Sequence, residues 1–225
     1  GLSLKLLRVG ALDTHVMRLE SRRPHAELQQ LAREIMANDS TVEYAEPDRI
    51  LHIQATPNDT QYGQQWHYFE AKGGINLPAA WDLSTGTGVV VAVIATGYRP
   101  HADLAANVLA GYDFIKDTTS AGDGNARDSD AKDPGDYATY GLCGLFSASH
   151  NSSWHGTHVA GTIAAVSNNG SGVAGIAYKA KVLPVRVLGR CGGYTSDIAD
   201  AIVWASGGAV SGVPTNSTPA RVINM

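Results

Sequence analysis

The sequence predicts an α/β protein whose main sheet is doubly wound and mostly parallel, preceded by a small α+β unit. The first observation is a change of composition, since only Gly1 and Gly10 of the 25 glycines fall within residues 1–54. The second is Val89–Ala95, a continuous apolar and β-branched run that is typical of a strand buried on both faces. The third is the alternation of strand and helix patterns that follows this run, which favours a parallel sheet with right-handed crossovers.

The leading unit, residues 1–54, has the pattern of a small ββ-helix-ββ fold. Its strands show alternating apolar residues, and its helix shows apolar residues at helical spacing after Pro24, which suits a first helical position. A unit of this size is marginal alone and is expected to lean on a partner surface. The elements are expected at Leu4–Val9, Thr14–Leu19, His25–Asn38, Val42–Ala45 and Arg49–Ile53.

The second unit, residues 55–225, alternates strands and helices. In a doubly wound sheet the functional site lies at the carboxyl ends of the strands. The elements are expected at Val89–Ala95 (strand), His155–Val166 (helix), Lys181–Leu188 (strand), Tyr194–Ser206 (helix) and Arg221–Met225 (strand).

Composition and charge exclude several classes of protein. Apolar residues make up 44% and charged residues 17% of the chain, which is a globular composition. The net charge of −4 argues against binding to nucleic acid or to an anionic membrane surface. The longest uninterrupted apolar run, at Val89–Ala95, is far shorter than the roughly 20 residues of a membrane-spanning helix.

The segment His155–Thr162, with the sequence His-Gly-Thr-His-Val-Ala-Gly-Thr, is the most informative motif. Its small residues allow the start of a helix to approach other backbone closely, and a histidine at the helix start suits general-base chemistry. Taken alone, the pattern is also compatible with histidines that cap a helix, or with a metal bound by His155 and His158.

The whole motif resembles the histidine motif of the subtilisin-like serine proteases, peptidase family S8, and in particular secreted bacterial members. The resemblance implies a subtilisin-like fold, with His155 as the catalytic histidine and the segment around Leu188, Gly192 and Gly193 at the substrate cleft. Three other segments agree with the family in the same order: Val91–Gly97 with the strand and turn of the catalytic aspartate, Gly172–Ala177 with the loop after the histidine helix, and Val222–Met225 with the strand that leads to the substrate-binding segment.

The chain departs from this family at the aspartate position, which is occupied by Ala95. The aspartate accepts the Nδ1–H of the histidine and stabilises the imidazolium, and its loss alone lowers kcat of subtilisin about 3 × 10⁴-fold. Neither Asp103 nor Asp113 is an obvious substitute, because neither lies at the end of the strand. The nucleophilic serine of the family is expected beyond Met225, so the fold is expected to be incomplete at its C-terminus and this chain to be inactive.

The resemblance also implies that residues 1–54 are an inhibitory propeptide and intramolecular chaperone whose C-terminal tail lies in the substrate cleft. Processing is then expected between Gln54 and Ala55. An active precursor would cut itself at this junction, so we interpret Ala95 as an engineered substitution that traps an unprocessed precursor. A natural pseudoenzyme is the alternative.

Aspartates form two candidate calcium sites. Clustered carboxylates at alternate positions suit calcium, which binds six to eight oxygen atoms, although a solvated acidic loop is the simpler interpretation. The family implies a further calcium site made by Asp59, Asp103 and Asn169, whereas no zinc ligand set is recognisable. The acidic loop offers Asp123, Asp128, Asp130, Asp133 and Asp136.

The two cysteines, Cys143 and Cys191, lie on either side of the histidine segment. We expect a disulfide between them. Two free thiols, or pairing with cysteines beyond Met225, are the alternatives.

Together these expectations describe a secreted, monomeric serine endopeptidase precursor. It would act on polypeptides, hold its own residues 1–54 at the cleft, and have neither a nucleic-acid partner nor a membrane span. Two other classes stay open: a non-catalytic pseudoprotease or inhibitory module, and a metal-dependent hydrolase that uses His155 and His158.

Overall fold

A computed structural model of the chain describes residues 3–48 and 56–225. The chain divides into two compact units, Gly1–Ile53 and Gln54–Met225, and each is described separately. The predicted strand Arg49–Ile53 and the predicted processing site at Gln54 and Ala55 lie outside the described residues.

The first unit contains an antiparallel pair of strands and one helix. Strand β1 (Leu4–Val9) pairs with β2 (His15–Leu19), and a short 3₁₀ turn, Ala11–Asp13, connects them. Helix α1 (His25–Asn38) has the predicted bounds, but Pro24 is its N-cap and not its first helical residue.

The prediction of a strand at Val42–Ala45 is wrong. The amide of Val42 donates to the carbonyl of Asp39 at 3.1 Å, and the carboxylate of Asp39 accepts from the amide and hydroxyl of Thr41. These bonds form a local turn after α1, so the amide of Val42 is used within the turn and not in a sheet.

The second unit is built on a four-stranded parallel sheet in the order β4-β5-β3-β6. Two short 3₁₀ turns, Tyr62–Gln64 and Trp66–Tyr68, precede its longer elements. None of the helices in the described ranges is long and apolar enough to cross a bilayer. The elements are α2 (Leu77–Trp81), β3 (Val90–Ala95), β4 (Tyr112–Asp113), α3 (Thr118–Ala121), α4 (His155–Ala164), β5 (Lys181–Arg186), α5 (Thr195–Ala205) and β6 (Val222–Asn224).

The two faces of strand β3 pack against different helices, as the alternation of side chains along a strand requires. Ala92 and Ile94 belong to the core cluster that contains Trp204 of α5. Val93 and Ala95 belong to the cluster that contains Ala160 of α4. Helices therefore cover both faces of the sheet, and the α/β doubly wound prediction is confirmed.

Several elements end one or two residues earlier than predicted, for local reasons. Helix α4 ends at Ala164 because Ala165 adopts extended backbone angles, φ −54° and ψ 145°. Strand β5 ends at Arg186 because the amides of Val187 and Leu188 both donate to the carbonyl of Ala95, at 2.9 and 3.1 Å. Because one carbonyl oxygen accepts both hydrogen bonds, the regular parallel ladder ends here, at the carboxyl edge of the sheet.

Candidate active site

His155 is the first residue of helix α4, and its side chain is exposed. Trp154 before it is left-handed, with φ 53°, and stacks against the guanidinium of Arg99, whose Cζ lies 4.9 Å from the ring centroid. The amide of His155 donates to Oγ of Ser153 at 3.2 Å. Helix α4 therefore begins at His155, and the imidazole lies at the N-terminal end of the helix.

The start of α4 lies directly against the turn that follows β3. The amide of Gly156 donates to Oγ1 of Thr96 at 3.0 Å. A β-carbon at position 156 would overlap the carbonyl oxygen of Gly97, and Gly97 itself has a positive φ of 89°. Glycine at both positions is thus needed for the strand end and the helix start to meet.

Ala95 is the last residue of β3, and its side chain is buried on the face covered by α4. Its methyl group can neither accept a proton nor a hydrogen bond. Among the described residues the imidazole of His155 has no hydrogen-bond partner, and only the backbone amide of His155 is bonded to a side chain.

Asp103 and Asp113 are both engaged elsewhere. Asp103 accepts from the side-chain amide of Asn169 at 2.7 Å and from the amide of Val173 at 3.0 Å. Asp113 is fully buried and forms an ion pair with the fully buried Arg186. Burial raises the pKa of the Asp113 carboxyl to about 7, and Arg186 opposes this shift.

The predicted cleft residues follow strand β5 at the same edge of the sheet. Leu188 is half-buried and bonded through its amide to Ala95, whereas Gly192 and Gly193 are exposed. Gly189 and Gly192 exchange backbone hydrogen bonds of 3.0 and 3.1 Å, which form a tight turn. The end of strand β3 therefore contacts the start of α4 through Thr96, and the segment that leads into this turn through Ala95.

The predicted disulfide is confirmed, because Cys143 and Cys191 are bonded to each other with a Cα–Cα distance of 5.3 Å. The bond ties the turn after β5 to the loop that precedes α4. The guanidinium of Arg190 packs over the ring of Tyr137, with its Cζ 4.6 Å from the centroid, and adds a second contact between these two segments.

Asp59, Asp103 and Asn169 lie in one place, although they are distant in sequence. The carboxylate of Asp59 accepts from the amide of Asn168 at 2.8 Å, and that of Asp103 accepts from Asn169 and Val173. Asp59 and Asp103 are buried, and neither forms an ion pair with a described residue. Two buried carboxylates beside the side chain of Asn169 supply oxygen atoms of the kind that calcium binds.

The aspartates of the acidic loop do not come together as one cation site. Within residues 3–48 and 56–225, no group of three or more His, Cys, Asp or Glu side chains could hold a metal ion. Each aspartate has its own neighbours instead: Asp123 pairs with Arg186, Asp128 accepts from Asn125 and from the amide of Asp130, Asp130 pairs with Lys132, Asp133 accepts from the amide of Gly135, and Asp136 accepts from Ser153.

Two residues at this site were given no role in the sequence analysis. Thr96 and Ser153 accept the amide hydrogens of Gly156 and His155. Asp133, predicted as a calcium ligand, is buried and lies near Thr96. Burial raises the pKa of Asp133, while Thr96 and the amide of Gly135 oppose the shift. A hydroxyl residue two positions before a predicted helix start was the available signal, since such residues commonly cap helices.

The comparison with family models decides the identity of the fold. Residues 86–225 match the model described as Peptidase_S8, the subtilase family. The chain belongs to the subtilase family. The match includes both Ala95 and His155, so the resemblance seen in the sequence motifs is confirmed at the level of the family.

Curated relatives and a solved structure agree with this assignment. The chain is 56% identical over 224 residues to an "Extracellular protease" of Xanthomonas campestris pv. campestris, covering 100% of the chain and 38% of the relative. It is 50% identical over 200 residues to an "Extracellular basic protease" of Dichelobacter nodosus, covering 87% of the chain and 33% of that relative. The chain thus spans about a third of the length of these relatives.

A solved structure of proteases from Pseudoalteromonas arctica is 67% identical to the chain, with a TM-score of 0.74. The similarity covers 76% of the chain and 50% of that structure. The subtilisin-like fold is therefore supported by both the sequence and the three-dimensional arrangement.

Proposed function

We propose that the full-length protein is a secreted, monomeric serine endopeptidase that hydrolyses polypeptides through an acyl-enzyme. Membership of the subtilase family and the relatives named extracellular proteases support this proposal. The observation that carries it is the contact between the carboxyl end of β3 and the start of α4, because it places position 95 beside the helix of His155. His155 would take the proton of a serine outside this chain and later protonate the leaving amine.

We further propose that the chain is a catalytically impaired precursor. Ala95 removes the carboxylate that would fix the imidazole tautomer, and the exposed His155 has no other described acceptor for its Nδ1–H. Residues 1–54 would be the inhibitory propeptide, held at the cleft of the same chain. The match of the Xanthomonas relative over 100% of the chain supports a leading unit shared with an extracellular protease.

Calcium is the cofactor that we propose, at the loop that joins Asp59, Asp103 and Asn169. The two buried carboxylates without a described cationic partner support this site. Calcium there would stabilise the loop after α4 and would take no part in peptide hydrolysis. No calcium is proposed for the acidic loop between Asp123 and Asp136, because its aspartates are separated.

The test of the protease function uses the full-length protein with Ala95→Asp, alongside the full-length protein that retains Ala95. We expect a fluorophosphonate probe to label a serine in the Ala95→Asp protein and casein hydrolysis to rise by at least about 10³-fold. An unlabelled and inactive Ala95→Asp protein would contradict the proposal and favour a non-catalytic module. Hydrolysis that is insensitive to the probe and lost on His158→Ala would favour the metal-dependent alternative.

A further inference from the structure

The segment from Asp133 to Ala138 lies alongside the residues that precede helix α4. Ala138 and His150 exchange two backbone hydrogen bonds of 3.0 Å, as in an antiparallel pair. The amide of Tyr137 donates to Oγ of Ser152 at 3.2 Å. A β-carbon at Gly135, which has a φ of 106°, would lie 2.6 Å from the same oxygen, so this approach depends on glycine.

The carboxylate of Asp136 holds Ser153 by two hydrogen bonds. Oδ1 accepts from the amide of Ser153 at 2.7 Å, and Oδ2 accepts from its hydroxyl at 2.8 Å. The oxygen of the same hydroxyl accepts the amide hydrogen of His155 at 3.2 Å. Because a carboxylate can only accept, the hydroxyl proton must point to Asp136, which leaves a lone pair for His155.

The result is a hydrogen-bond chain that runs from the Asp136 carboxylate through the Ser153 hydroxyl to the backbone of His155. The first amides of a helix have no acceptor within the helix, so the amide of His155 needs an acceptor elsewhere. Trp154, which precedes it, has a left-handed backbone and is not part of the helix. A negative charge near this end is also favoured by the helix dipole. The chain of bonds therefore fixes the backbone that carries the imidazole.

We infer that Asp136 and Ser153 are positioning residues, which set the place of the His155 imidazole for proton transfer. The inference rests on the proposed serine protease function. It assigns two residues that support catalysis without touching the reacting atoms. Although burial raises the pKa of Asp136, its hydrogen bonds from Ser153 outweigh this effect and hold the pKa below the ordinary value of 3.8. Asp136 is thus a carboxylate throughout the neutral range in which His155 would act.

The kinetic test uses the full-length Ala95→Asp protein, with rates expressed per active site labelled by the fluorophosphonate probe. We expect Ser153→Ala and Asp136→Asn each to lower kcat about three- to tenfold with KM unchanged. Ser153→Thr keeps the hydroxyl and should restore kcat to within about twofold of the parent. The double variant should have about the same kcat as the slower of the two single variants, because both substitutions break the same chain of bonds.

Matched controls separate positioning from general effects of the substitutions. Ser149→Ala removes a hydroxyl from an exposed serine, and Asp82→Asn removes the same charge from an exposed aspartate. Neither should change kcat. Unchanged kcat in the Ser153→Ala protein, or an increase in KM at constant kcat, would overturn the inference.

A second measurement does not depend on activity and uses the chain that retains Ala95. Amide hydrogen exchange at His155 should accelerate several-fold in Ser153→Ala and in Asp136→Asn, but not in Ser149→Ala. If the Ala95→Asp protein proves inactive, the proposed function fails, and this exchange rate still tests the hydrogen-bond chain. Equal exchange rates in the parent and in Ser153→Ala would overturn it.

Discussion

At the residue scale, the contact between Gly156 and Gly97 decides how closely the histidine helix approaches the sheet. The amide of Gly156 reaches Thr96 at 3.0 Å only because no β-carbon intervenes between the helix and the carbonyl of Gly97. Gly97 follows strand β3 by two residues and Gly156 lies in the first turn of helix α4, so neither backbone segment can move away cheaply.

We therefore expect Gly156→Ala to destabilise the chain by about 1–3 kcal/mol, although alanine has the higher helix propensity. Gly161→Ala, on the same helix, is the matched control. A β-carbon there would have no atom within 4 Å, so we expect a stabilisation of about 0.5–1 kcal/mol. Urea unfolding of the two variants measures both values. A Gly156→Ala variant as stable as Gly161→Ala would show that the helix start moves freely relative to β3.

At the element scale, the loop after α4 is held by acidic side chains from two other segments. The carboxylates of Asp59 and Asp103 accept from the amides of Asn168 and Val173, so this loop joins the start of the second unit to the segment after β3. The burial of two negative charges is costly unless a positive group accompanies them.

Calcium should accordingly raise the unfolding midpoint of the chain, and a chelator should lower it. At calcium about 100-fold above its dissociation constant, the stabilisation would be about 2.7 kcal/mol. Differential scanning calorimetry with calcium, magnesium or chelator measures the effect. Asn169→Ala should abolish the response to calcium, whereas Asp82→Asn should keep it. Identical midpoints with calcium and with chelator would contradict the proposed site.

Elements set by local pattern were predictable, whereas the contacts between segments were not. Helix α1 and the strand at Leu4–Val9 have the predicted bounds because their apolar spacing determines them. Val42–Ala45 has strand-like residues but lies after a turn at Asp39 that uses its first amide. The bonds of Asp136 to Ser153 join residues 17 positions apart on irregular loops, which no periodicity reveals.

At the scale of the whole molecule, the chain combines two compact units with an alanine at position 95. The first unit contains one helix and one strand pair in its described part, and only Ala32 of that part is a buried apolar residue. A unit with so small a core is marginally stable by itself. The match to the subtilase model begins at residue 86, so this unit lies outside the region that defines the family.

The proposed propeptide, still attached, and the proposed loss of the catalytic carboxylate are consistent with each other, because an active enzyme would cleave the junction itself. We expect the full-length Ala95→Asp protein to release residues 1–54, seen as a loss of that mass from the intact protein. The protein with Ala95 should stay uncleaved under the same conditions, since its acyl transfer would be slower by about 10⁴-fold. Ala95→Asn is the matched control, because it has the size of aspartate without its charge and should process far more slowly. Dilution distinguishes the route: a cleavage rate that is independent of concentration indicates processing within one chain. A labelled, active Ala95→Asp protein that retains residues 1–54 would refute the assignment of this unit as a removable propeptide, while leaving the protease function in place.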